Sequence, residues 1–109
     1  VRTYLLVYSE EFNSVDVREW VDNHPRIYDW VECLPYAYFL VSDRPAHILA
    51  LSLTRNVGDH RYIIIDTKSM NKQGLLPRQV WKMMRKPGPR DQLQLPFAKK
   101  EDDEDHEPE

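Results

Sequence analysis

The 109-residue chain has one cysteine, three glycines and no apolar run near the ~18 to 20 residues that a membrane span needs. Each shortage excludes something. Cys33 has no second thiol with which to form an internal disulfide or complete a zinc ribbon, so a reducing, intracellular setting is expected. On a strand it reads as a small buried hydrophobe. Gly58, Gly74 and Gly88 are too far apart for a glycine loop that cradles phosphates. The opening VRTYLLVYSEEF lacks the long apolar block of a secretory signal, and a soluble cytoplasmic protein with no membrane contact is the expectation. His24, His47, His60 and His106 have no Ser or Cys at a recognisable motif spacing, so no nucleophilic catalysis is signalled, and neither a cofactor nor a metal site is expected.

What is present is one small core and a division of charge. Apolar residues make up 41% of the chain, enough for one domain. Residues 1–86 carry 12 Lys/Arg against 10 Asp/Glu, and residues 87–109 carry 3 against 8. The change falls at Lys86-Pro87-Gly88-Pro89-Arg90, where prolines remove backbone donors, and the boundary between a folded domain (1–86) and a tail (87–109) is placed there. The closing EDDEDHEPE has seven carboxylates and nothing to bury, which predicts disorder.

Within the domain the periodicities alternate. TYLLVY (3–8) predicts a strand covered on both faces. Asn13 or Ser14 caps a helix whose Val17, Trp20, Val21 and His24 share one side, closed by Pro25. IYDWVECL and YAYFLVS predict a hairpin turning at Leu34-Pro35-Tyr36. A helix entered through Arg44-Pro45 buries Ile48, Leu49, Leu51, Ser52 and Leu53 and ends at Asn56-Val57-Gly58-Asp59. RYIIIDT (61–67) is a strand, and Pro77 opens a last helix reaching about Lys86. Strand, helix, strand, strand, helix, strand is the order of a ferredoxin-like α+β sandwich (βαββαβ), here with an extra C-terminal helix and an acidic tail. With the helices on one face, the aromatics Tyr4, Tyr28, Trp30, Tyr36 and Tyr38 become candidates for a bare sheet face that a homodimer would hide.

Two local patterns suggest binding. Arg78, Lys82 and Arg85 recur at i, i+4, i+7 of the last helix, Lys86 adjoins them, and Lys68 and Lys72 precede them, a set that could contact DNA or RNA phosphates or simply be a solvated face. The acidic end could cover these cations as an intramolecular nucleic-acid mimic. In the tail, Gln92-Leu93-Gln94-Leu95-Pro96-Phe97 resembles the peptide that binds the bacterial sliding clamp, with Gln92 supplying hydrogen bonds and Leu93, Leu95 and Phe97 the apolar contacts. The same alternation describes a fifth strand, and plain disorder also fits.

The succession YLLVYS, YDWVECLPYAYFLVS, GDHRYIIIDT and QGLLPRQVW resembles small SinR-like bacterial proteins over residues 3–84. It is more distantly similar to the small subunit of the CRISPR adaptation complex and to the virulence-associated D ribonucleases. The resemblance implies a homodimer packed sheet to sheet, in some members with nuclease activity. Those nucleases carry a metal-binding aspartate directly after the closing tyrosine of the first strand. Here that position is Ser9, and only Glu10 or Glu11 could substitute. The function expected is therefore a non-catalytic, dimeric binding or regulatory protein of nucleic-acid transactions, with a metal-dependent ribonuclease as the alternative.

Overall fold

The computed structural model describes residues 1–68 and 72–89. Gln92, Leu93, Leu95 and Phe97, together with the acidic end, lie outside the described residues. The elements run β1 (Arg2–Tyr8), α1 (Ser14–Asn23), β2 (Ile27–Leu34), β3 (Ala37–Ser42), α2 (Ala46–Asn56), β4 (Tyr62–Asp66) and α3 (Arg78–Arg85). The four strands form one antiparallel sheet in the order β2-β3-β1-β4, an α+β architecture with three helices. Among the described residues no helix is long and apolar enough to cross a membrane.

Local chemistry explains the element ends. The Asn13 side chain accepts from the amides of Val15 (2.9 Å) and Asp16 (3.2 Å), satisfying two donors that a helix start leaves open. His24 caps the other end through its amide to the Trp20 carbonyl, and Pro25 prevents another turn. Pro35 and Tyr36 make the two-residue turn between β2 and β3, with Tyr36 at φ 58°, a left-handed conformation that costs a bulky residue about 1 to 2 kcal/mol. The position is held by the Tyr8 amide donating to the Tyr36 carbonyl (3.0 Å) and by an edge-on contact between the two rings.

The sheet is covered on both faces, by different means. Tyr4, Leu6 and Tyr8 of β1 and Tyr38 and Leu40 of β3 pack under Val17, Trp20 and Val21 of α1 and Leu49 and Leu53 of α2. Truncating a fully buried leucine here, such as Leu40, would cost about 2 to 5 kcal/mol. On the opposite face Val80 and Met83 of α3 pack on Val31, Phe39 and Val41. The helices therefore do not share one face: α3 has a sharply one-sided apolar stripe, and the second face supplies its apolar partner.

This arrangement corrects the expected aromatic dimer face. Tyr4 and Tyr38 are 3% and 1% exposed and lie inside the chain's own core, with Trp30 packed against the same cluster. Tyr28 lies on the other face beside the α3 cluster, and Tyr36 stands exposed in the turn. The cause is an irregularity in β2 between Ile27 and Asp29, which brings Trp30 to the Ile27 side and Tyr28 to the other, so simple alternation misassigns the faces. On that sheet face Val7, Ile63 and Ile65 stand bare among the described residues, at 40%, 54% and 43% exposure.

Candidate anion-binding cleft

The chain builds a polar corner where the start of β1, the end of β4 and the last turn of α3 meet. Register places Arg2 and Asp66 beside each other: Tyr4 pairs with Asp66 across β1 and β4, and Thr67 continues the ladder through its amide (3.0 Å) and hydroxyl (2.8 Å), both donating to the Thr3 carbonyl. Thr3 then reaches to the other layer, its hydroxyl donating to the Met83 carbonyl at 2.7 Å in the last turn of α3. Carbonyls in a last helical turn lack intrahelical partners, so this bond satisfies one and ties the turn that carries Arg85 to β1.

Asp66 organises the charge. One carboxylate oxygen takes the Arg2 guanidinium at 2.5 Å, and the other takes the Lys68 amide at 2.9 Å. Burial pushes this carboxyl up, but the Lys68 amide and the Arg2 guanidinium outweigh burial and hold it below the usual range. Arg2 is correspondingly raised by its hydrogen bond to Asp66. The result is a cleft of about 570 Å³ lined by Arg2, Thr67, Lys68, Lys72 and Arg85, with four cations against the single carboxylate of Asp66. Such a lining favours an anion: among the described residues it brings two hydroxyls and four cationic side chains to one cleft with one acid, Asp66.

The cations expected on the last helix are divided between two clefts. Arg85 lines this cleft, whereas Lys82 and Lys86 line a second one of about 290 Å³ on the other flank, with Asp29 and Gln79. Arg78 stands in the first turn of α3, about 10 Å along the axis from Arg85. Lys68 and Lys72, expected as additions, are central. Arg2, Thr3, Asp66 and Thr67 were missed by sequence reasoning, because only the β1–β4 register brings the two chain segments together. Polar residues at the matching ends of two adjacent strands were the signal available.

Glu10 and Glu11 are exposed past the far end of β1, seven residues and so about 20 Å from the cleft end. Glu11 accepts from the Ser9 hydroxyl and its amide donates back to that oxygen, both at 3.2 Å. Among the described residues there is no group of three or more His, Cys, Asp or Glu placed to hold a metal ion. Cys33 is half-buried against the α3 cluster, and burial pushes its thiol up, away from the thiolate. The Trp81 indole N–H is buried without a hydrogen-bond partner among the described residues. No family model, no curated protein and no solved structure matches this chain.

Proposed function

We propose that this chain is a small non-catalytic binding protein whose ligand is a phosphate-bearing polyanion, nucleic acid being the class that fits. The observation that carries the reading is the cleft to which separate parts of the chain bring Arg2, Lys68, Lys72 and Arg85, with Asp66 as its one acid among the described residues. The order of elements and of strands supports a ferredoxin-like domain as its frame. Phosphate contacts of this kind position a backbone without reading bases, so sequence-tolerant binding is expected. In this reading Gln92 to Phe97 serve as a partner peptide, with a sliding clamp as the partner to try.

The test is fluorescence anisotropy of a labelled 12-nucleotide RNA and its DNA counterpart over a salt series. Affinity should fall as salt rises, and the double variant Lys68→Glu, Lys72→Glu should bind about tenfold or more weakly, with a shallower salt slope. Equal binding by the variant would remove the cleft from the interaction. Binding that required magnesium or manganese and ended in cleavage abolished by Glu10→Gln, Glu11→Gln would favour the ribonuclease alternative, which nothing at Glu10 and Glu11 currently favours.

A further inference from the structure

The two edges of the sheet are built differently. β2 has register irregularities at Ile27/Asp29 and Val31/Leu34 and carries Asp29 and Glu32, the latter bound to Arg18 at 2.7 Å. Bulges and charges of this kind discourage a further strand. β4 has an unbroken register with β1, contains neither proline nor lysine, and exposes Ile63 and Ile65 on one face. Its only charged residue is Asp66 at its end, and among the described residues no bulge, proline or lysine interrupts it.

Its free backbone groups have a definite order. Ser9 donates to the Arg61 carbonyl and Thr67 to the Thr3 carbonyl, both at 3.0 Å, so the backbone groups of Arg61 and Thr67 turn toward β1. Alternation then turns the amides and carbonyls of Ile63 and Ile65 toward β1 and those of Tyr62, Ile64 and Asp66 outward. The outward set is symmetric about Ile64.

We propose that β4 pairs antiparallel with β4 of a second copy, about a two-fold axis at Ile64, giving a continuous eight-stranded sheet. Ile64 bonds its own counterpart, and Tyr62 bonds Asp66 of the second copy in both directions, so every outward amide and carbonyl of the strand finds a partner. On the α3 side Ile63 meets Ile65 of the second copy, closing the exposed isoleucines into one apolar stripe. A seam of five residues buries less than the roughly 1,200 Å² of a standard stable interface, so a weak dimer is expected, formed at about 10 to 100 μM.

Sedimentation equilibrium of the full chain between 5 and 500 μM should show a monomer–dimer equilibrium, and Ile63→Lys with Ile65→Lys should abolish it. A monomer at 500 μM, or a dimer unchanged by the lysines, overturns the proposal. So does a monomer whose Tyr62, Ile64 and Asp66 amides resist exchange, since the chain would then cover its own edge. Should the lysine variant unfold, cross-linking decides. In a Cys33→Ser background, Ile63→Cys and Ile65→Cys chains mixed and mildly oxidised should link to each other, as facing residues of a non-hydrogen-bonded pair lie about 4.5 Å apart at Cα. Ile63→Cys alone should not link to itself, because its counterpart is offset by two residues. Self-linking equal to the mixed yield contradicts the register.

Discussion

The hydroxyl of Thr3 donates to the carbonyl of Met83 at 2.7 Å, a buried bond across 80 residues that joins the central strand β1 to the end of α3. Thr3→Val keeps the shape and removes the donor, leaving a helix-end carbonyl without its partner. Equilibrium denaturation should show a loss of about 1 to 3 kcal/mol, with Thr3→Ser much closer to the parent. Oligonucleotide affinity should fall with Thr3→Val as well, since Arg85 is positioned through this bond.

Acid stability should depend on Asp66. Its folded-state value lies below the ordinary carboxylate range, so the stability it contributes is complete above that range and is lost as pH falls through the folded value. Denaturation midpoints measured from pH 6 to pH 2 should fall less steeply in Asp66→Asn than in the parent, and parallel curves would show that the carboxylate contributes nothing.

A second titration belongs to His24. Burial, and then Arg26, lowers it, and its Nδ1 accepts from the Arg26 amide at 3.0 Å, a bond that protonation removes. A depressed histidine contributes stability that is complete above its unfolded value of 6.5 and is lost as pH falls through the folded value, so stability should decline as pH falls below 6.5. His24→Asn retains an acceptor near the Nδ1 position without the charge, and its stability should be flatter across that window.

The turn gives a backbone prediction. At φ 58° Tyr36 tolerates replacement by Asn, whose side chain suits left-handed geometry, and the gain there offsets the lost ring contact with Tyr8 to within about 1 kcal/mol. Tyr36→Val loses the ring and places a β-branched residue at the same angle, and should be destabilised by about 2 kcal/mol or more. Thermal melts of the two variants distinguish the effects.

The succession of seven elements was legible because each carried its own signal: the Val17, Trp20 and Val21 spacing in α1, the isoleucines of β4, the proline in the hairpin. The faces were less legible. One irregularity in β2 put Tyr28 and Trp30 on opposite faces, and no residue marks such a shift in a single sequence. The cleft was legible only in part: Lys68, Lys72 and Arg85 stand out as cations, but Arg2 and Asp66 are 64 residues apart and meet only once the strand order is known. The spacing of Arg78, Lys82 and Arg85 was legible as helix periodicity, whereas the division of the α3 cations between two clefts depends on where the helix packs.

Polyanion binding at the Arg2, Lys68, Lys72 and Arg85 cleft is tested most directly by amide chemical-shift mapping during titration with a short single-stranded oligonucleotide at low salt. Shifts should concentrate at Thr3, Thr67, Lys68 and Arg85 and vanish when salt is raised, while Glu10, Glu11 and the Pro35–Tyr36 turn stay still. Shifts centred on those distant residues, or none at any residue lining the cleft, would contradict the assignment.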